Sequence, residues 1–309
     1  ASAMKFCIHG NMHSFHEVNL VREKTNELRK ERRVRAELTY DVFIRDNYEY
    51  LKTFCDKHVY VAYAGGKDAS VILHYFTRAR EEFGFDFETH AGMYPLHVYT
   101  KEDVNKLDTY WKGRGIKITW HPINKNEDAF QAALQQGTNP CEVCHAAKRE
   151  YFLDYLIRTM TEWNSAALIL GWSLWDIVSY TLEYILGSVY ADREALYQGK
   201  TIKERFFRTT QRFYPVLYMK EGYSIYKPLL RYNDQDIIKV VHENEIPILT
   251  TDCKFKDYRP KRYFAESYIK MNMYFDYDKV MKFAKEALNL EKPSSYTSLD
   301  KNNFITSII

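Results

Sequence analysis

From residue 59 to residue 64 the chain runs apolar, β-branched and aromatic, then meets two adjacent glycines, Gly65 and Gly66. An amphipathic run from Ala69 to Arg80 follows. That order predicts a strand, a tight turn and a helix. The alternation continues downstream. Residues 71–82 read as helix, a second strand falls within 85–99, and 101–113 read as helix closed by glycine. Residues 116–120 alternate as a strand, 126–136 and 151–163 read as helices, and 166–171 form a buried strand ending in Gly171. Residues 176–186 are helical, 187–222 are irregular, 224–230 read as strand and turn, and 234–244 as helix. Strands and helices of this length in alternation predict an α/β fold, a parallel sheet with helices on both faces. Before it, a short strand at 5–8, a basic helix at 21–35 and a helix at 40–57 are expected. After it, 263–288 read as a helical pair, and the polar stretch past Pro293 as loosely ordered. The resulting division is an N-terminal helical extension (1–57), a central domain (58–255) and a C-terminal helical tail (256–309).

The glycine turn carries the first chemistry. Adjacent glycines let the backbone approach an anion with no Cβ in the way. The start of the following helix offers free N–H groups and a positive dipole end. Lys67 adds a point charge and Ser70 a hydroxyl, so a polyphosphate is the simplest ligand. A plain turn is the bland alternative, and the Walker spacing is absent. In parallel sheets ligands sit beyond the carboxyl ends of the strands, where Gly65 and Gly171 both fall.

Composition adds bounds. At 309 residues the chain suits one large or two modest domains, and its net charge of +3 says little about partners. Tyrosine is abundant, with 26 residues. No apolar run is long enough to span a bilayer, and no signal peptide is visible. The five cysteines therefore point to a reducing compartment, the cytoplasm. Local clusters say more than the total. Residues 21–35 are densely basic, which fits a solvated helix face or a phosphate-backbone contact. Between 193 and 214, Arg193, Lys200, Lys203, Arg205, Arg208 and Arg212 interleave with Tyr197, Phe206, Phe207, Phe213 and Tyr214. Cations for phosphates and rings for unstacked bases suit nucleic acid; a surface helix with a packed aromatic side is the ordinary alternative.

Cys141 and Cys144 form a C-x-x-C pair ahead of a helix, and Cys253 follows much later. Thiolates at that spacing reach one metal centre from a single turn. A redox disulfide is one alternative, but no thioredoxin-like unit surrounds the pair. Structural zinc wants a fourth ligand, for which His145, Cys55 and Cys7 are candidates. Three cysteines suit a 4Fe-4S cluster with one iron open, which ranks ahead of zinc. Cys7, His9, His13 and His16 lie close together but fit no compact zinc pattern.

The segment Ala64, Gly65, Gly66, Lys67, Asp68, Ala69, Ser70 resembles the PP-loop of the ATP pyrophosphatase superfamily, S-G-G-x-D-S, with Ala64 and Ala69 in place of its two serines. Cys141, Cys144, Lys148 and Arg149 resemble the C-x-x-C-x-x-x-R-R segment of TtcA-type tRNA thiolases. The stretch from Ile225 through Pro228 and Arg231 to Asp236 is similar to that family's R-P-L…D-I segment, and Cys253 stands where the family has its third cluster cysteine. The family's G-H-x-x-D-D survives here as Gly171 and Asp176, with Trp172 and Trp175 replacing its histidine and first aspartate. Those two rings suggest a pocket that stacks on a base or another flat substrate.

The resemblance implies a Rossmann-like PP-loop fold over residues 59 to 255. It also implies an ATP-dependent sulfurtransferase that adenylates a carbonyl oxygen, most simply of a tRNA pyrimidine, and replaces it with sulfur. The implied cofactors are ATP, Mg²⁺ and a 4Fe-4S cluster on Cys141, Cys144 and Cys253. Gly65, Gly66, Lys67 and Ser70 would hold phosphates, and Asp68 or Asp176 would coordinate Mg²⁺. Implied partners are tRNA or another nucleic acid, a sulfide or persulfide donor protein and no membrane, with a homodimer open. Three other readings stand beside it. One is an enzyme like the phosphoadenylylsulfate reductases. Another is a DNA-phosphorothioation relative. The third is a binding protein that keeps the cradle without cleaving ATP.

Overall fold

A computed structural model describes residues 37–93, 99–123, 128–137, 139–160, 162–189, 201–249, 253–258 and 260–307. The expected strand at 5–8, the basic helix at 21–35, the histidines near Cys7 and the basic residues Arg193 and Lys200 lie outside them.

Six strands form one sheet in the order β3-β2-β1-β4-β6-β5. They are β1 (His58–Ala62), β2 (Phe87–Met93), β3 (Ile118–Pro122), β4 (Ala166–Ile169), β5 (Val216–Tyr218) and β6 (Ser224–Tyr226). All neighbours run parallel except β5, an antiparallel edge on β6. Val61 of β1 pairs with Thr89 of β2 on one side and Ile169 of β4 on the other. Strand order reverses direction between β1 and β4, the place where such sheets open a ligand crevice. The α/β reading of the sequence therefore holds.

Twelve helices of four residues or more are described. They are α1 (Tyr40–Leu51), α2 (Lys67–Phe83), α3 (Lys101–Lys112), α4 (Asp128–Gln135), α5 (Pro140–Thr159) and α6 (Leu174–Val189). The chain continues with α7 (Ile202–Thr210), α8 (Asp234–Glu243), α9 (Pro260–Lys270), α10 (Tyr277–Ala287), α11 (Ser294–Thr297) and α12 (Lys301–Ser307). Local chemistry sets several boundaries. Thr39 caps α1, and capping boxes of Thr100 with Asp103 and of Thr201 with Glu204 open α3 and α7. Helix α1 stops short of the expected residue 57 because Thr53 turns back, its N–H and hydroxyl both donating to the Tyr50 carbonyl.

Helix α5 departs from expectation more usefully. It starts at Pro140 rather than near residue 151, so the cysteine pair lies inside its first turn. Proline fits the first helical position, and Asn139 Oδ1 accepts from the Cys141 N–H at 2.9 Å.

The main core is aromatic. Phe43, Phe54 and Phe76 are fully buried between α1, α2 and β1, with Phe85 beside them. Tyr50 and Asn47 of α1 bond across to Ser224 and Tyr226 of β6. The stretch past Pro293 is not loose. Tyr296 and Phe304 are fully buried beside Leu217, Met219 and Tyr223, so two aromatic anchors outweigh the polar composition around them.

Candidate active site

Gly65 takes a left-handed backbone, φ +73°, as the chain leaves β1. A Cβ there would stand 2.3 Å from Leu249 Cδ1, and the Gly65 carbonyl accepts from the Leu249 N–H at 2.8 Å. Gly66 is the N-cap of α2 and supplies no side-chain cap. The first-turn N–H groups of α2 thus stay open to an anion. Gly171, at the exit of β4, gives the loop room: a Cβ there would lie 3.1 Å from the Ala69 nitrogen and 3.2 Å from Asp68 Cβ. Ala64 is held from behind by Tyr99, whose hydroxyl donates to its carbonyl at 2.9 Å.

A charged network fills the mouth. Lys67 Nζ lies 2.8 Å from Asp68 Oδ1 and 2.9 Å from Asp234 Oδ2. The Ser173 hydroxyl donates to Asp234 Oδ1 at 2.5 Å, and the Ser173 N–H to Asp176 Oδ2 at 2.7 Å. Lys261, from α9, ion-pairs with the other Asp176 oxygen. Burial works to lower the Lys67 ammonium, yet Asp68 and Asp234 hold it above its ordinary value. Burial pushes the Asp234 carboxyl up, Lys67 opposes this, and Asp68 adds to the rise. Three carboxylates face two ammonium groups, a balance that suits a divalent cation bound with phosphate.

Asp234 was not among the residues singled out from the sequence. It opens α8, whose N-cap Asn233 makes no capping bond because its side chain is bonded to Phe275. An uncapped helix start carrying an acid, just past the β6 strand, is the signal that could have marked it. Lys261 was missed because α9 reaches the mouth only through tertiary packing.

The other site residues fall as follows. Ser70 is fully buried and its hydroxyl faces that of Tyr63, 3.3 Å away, so it does not join the mouth. Asp176 joins the network through Oδ2, which accepts from Ser173, while its buried Oδ1 has no hydrogen bond among the described residues and faces the Lys261 ammonium. Trp175 is buried to 1% exposure, edge-on to Tyr268 at 5.2 Å, so it is core and offers no face to a substrate. Trp172 is half-buried, with Arg212 4.4 Å and Lys261 5.3 Å from its ring. The rings of Phe206 and Phe213 are also core, Phe206 stacked on Tyr184. Lys227 is buried and donates to the carbonyls of Gln211 and Tyr214, and Arg231 lies over Tyr277. That stretch serves the fold.

The three cysteines converge on one apolar cluster. Cys144 packs with Ile123, Phe130, Ala147 and Phe255, Cys253 lies against the same group, and the Cys141 thiol reaches the Phe255 carbonyl at 3.7 Å. Among the described residues no three His, Cys, Asp or Glu side chains stand together as a metal-holding group. The donor types still fit a cluster: three thiols, two of them one turn apart on α5, in an apolar surround. Cys55, a candidate fourth ligand for zinc, instead sits past α1 with its thiol toward the Lys52 carbonyl. Two contacts lead from the loop to the segments that carry the cysteines. Lys148 of α5 lies 5.5 Å from the ring of Tyr99, which holds Ala64. Leu249, bonded to Gly65, lies four positions before Cys253. No described helix is long and apolar enough to cross a membrane.

No protein-family model and no curated protein matches the sequence. Solved structures do match. The U34-tRNA thiolase NcsA from Methanococcus maripaludis, determined with its [4Fe-4S] cluster, aligns over 84% of this chain and 87% of its own at TM-score 0.55 and 13% identity. An NMN synthetase from Francisella tularensis aligns over 87% and 94% at TM-score 0.40 and 11% identity. A phosphoadenylyl-sulfate reductase from Candida auris aligns over 74% and 87% at TM-score 0.38 and 14% identity. The NcsA likeness, with the sheet order and the glycine loop between β1 and α2, shows an α/β fold that this chain shares with that structure.

Proposed function

We propose that this protein is an ATP-dependent sulfurtransferase that exchanges a carbonyl oxygen for sulfur, with a tRNA pyrimidine as its substrate. The observation that supports the reading is the gathering of Cys141, Cys144 and Cys253 around Phe255, with Lys148 of α5 and Leu249, four positions before Cys253, in contact with Tyr99 and Gly65 at the loop. An activated oxygen and a carried sulfur would then meet in one crevice. The NcsA likeness supports this choice among PP-loop chemistries.

A carbonyl oxygen leaves poorly, so it must first be made part of a good leaving group. Attack of that oxygen on the α-phosphorus of ATP breaks the bond to the β-phosphate and releases pyrophosphate. The open N–H groups of α2 and the Lys67 ammonium would bind the phosphates and offset the charge that develops on the departing pyrophosphate. Asp68 and Asp234 would be the carboxylates that hold Mg²⁺, with Asp176 bonded to the same network through Ser173. Addition of sulfide at the activated carbon then expels AMP, breaking the carbon–oxygen bond. Cys141, Cys144 and Cys253 would hold a 4Fe-4S cluster that supplies the sulfur. The apolar walls from Ile123, Phe130 and Phe255 would keep water from competing for the activated carbon.

The loss of two loop hydroxyls and the inward turn of Ser70 favour one other reading, a nucleotide binder without cleavage. One assay separates them. Anaerobic protein is given ATP, Mg²⁺, sulfide and unmodified tRNA; pyrophosphate is measured, and nucleosides from the digested RNA are weighed by mass spectrometry. RNA-dependent pyrophosphate release with a nucleoside about 16 Da heavier, the O-to-S exchange, is expected. ATP binding with neither product would leave the non-cleaving reading in its place.

A further inference from the structure

We infer that Lys261, supplied by the C-terminal helix α9 from outside the sheet domain, is a second phosphate-binding cation of the nucleotide site. This rests on the reading of the mouth as an ATP site and extends it to a residue that no loop motif contains.

Three observations converge on it. The first is the loop's own donor inventory. Ala64 and Ala69 carry no hydroxyl, and the Ser70 hydroxyl is turned toward Tyr63. Lys67 is then the loop's one charged donor, and it already answers to two carboxylates, Asp68 and Asp234. A triphosphate arriving beside three carboxylates needs positive charge in addition to Lys67, even with a divalent cation present.

The second is the position of Lys261. Its ammonium pairs with Asp176, whose other oxygen is bonded to Ser173, which in turn bonds Asp234. It is thus the far end of the same network that holds Lys67. Burial lowers its ammonium from 10.5 to about 7, Asp68 opposing and Lys67 adding to the fall, and a phosphate bound beside it would raise it again. Its ammonium lies 5.3 Å from the centre of the Trp172 ring, and the side chain is 45% exposed. An ammonium on a four-carbon arm with rotatable bonds can exchange one carboxylate for a phosphate.

The third is the rigidity of its base. Pro260 begins α9 and fixes the first turn. Tyr268, on the same helix, is 3% exposed, packs edge-on to Trp175 of α6 and lies 3.5 Å from the Ser179 hydroxyl. Lys261 is therefore delivered to the mouth by a buried helix–helix contact. The pose with Asp176 is the ligand-free one; a bound polyphosphate would compete with Asp176 for the ammonium.

The test is calorimetric titration of the full chain, purified without oxygen, with Mg·ATP and with AMP. Lys261→Met keeps an unbranched side chain of similar length and removes the charge. ATP affinity is expected to fall about tenfold or more, with AMP affinity changed less than about twofold, since AMP lacks the β- and γ-phosphates. Lys261→Arg should restore most of the ATP affinity. A second measurement needs no variant: acylation of wild-type lysines read by mass spectrometry, in which ATP but not AMP should protect Lys261. Equal loss of ATP and AMP affinity in Lys261→Met would make the residue structural and overturn the inference. So would unchanged ATP affinity, or acylation of Lys261 indifferent to ATP. Wild-type protein that binds no ATP at all would overturn the nucleotide reading, and this inference with it.

Discussion

At the scale of single residues, two glycines do the positioning. Gly65 is needed for its left-handed backbone and for the space that Leu249 fills, and Gly171 for the approach of β4 to the start of α2. Gly65→Ala would place an L side chain at positive φ, costing about 1–2 kcal/mol, and would drive its Cβ into Leu249. A total loss of about 2–4 kcal/mol in urea unfolding is expected, with weakened ATP binding. Adding Leu249→Ala should relieve the collision but not the backbone strain, so the double variant should be more stable than the sum of the two single losses. Strict additivity would show that Leu249 does not press on this turn. The loop itself was legible in the sequence because its causes are local: a β-branched strand, two glycines and a helix in order. Asp234, Lys261 and Leu249 were not, because distant segments bring them to the mouth. The two tryptophans were misread in part for the same reason. Residue type announces a flat ring, but only packing shows that Trp175 faces Tyr268 and the interior.

At the scale of elements, boundaries followed sequence where caps and periodicity agreed and failed where a few anchors overrode composition. Asn139 and Pro140 start α5 eleven residues earlier than its apolar periodicity suggested, which puts Cys141 and Cys144 on one helical turn. Tyr296 and Phe304 fold the polar tail onto β5. The exit of β6 shows another such tie. Lys227, 1% exposed, fastens it to the carbonyls between α7 and β5. Burial, with Arg212 nearby, lowers its ammonium from 10.5 to about 7. Between those two values the unfolded chain holds the extra proton, so stability rises with pH from about 7 upward and the gain is absent below it. Raising the pH from 7 to 9 is expected to add about 2 kcal/mol to unfolding in urea. Lys227→Met should lose that increment, and any rise that persists belongs to Lys261, whose ammonium is also lowered to about 7 by burial. A wild-type stability flat across this window would mean that Lys227 stays charged in its buried site.

At the scale of the whole molecule, helices α2, α6 and α8 follow β1, β4 and β6 and begin at one crevice, where Lys67, Ser173 and Asp234 are bonded to one another. Helix starts directed at one point favour an anion there. The sheet order and the NcsA likeness give the fold; the three cysteines around Phe255 suggest the proposed chemistry. The sulfur-carrying role depends on what three thiols hold, and that is directly measurable. Iron, acid-labile sulfide and zinc are to be determined on the anaerobically purified full chain, alongside its visible spectrum. A brown protein with about four irons and four sulfides per chain, lost in Cys253→Ser while ATP binding persists, is the expected result. A colourless protein carrying about one zinc per chain would contradict the sulfur-transfer account.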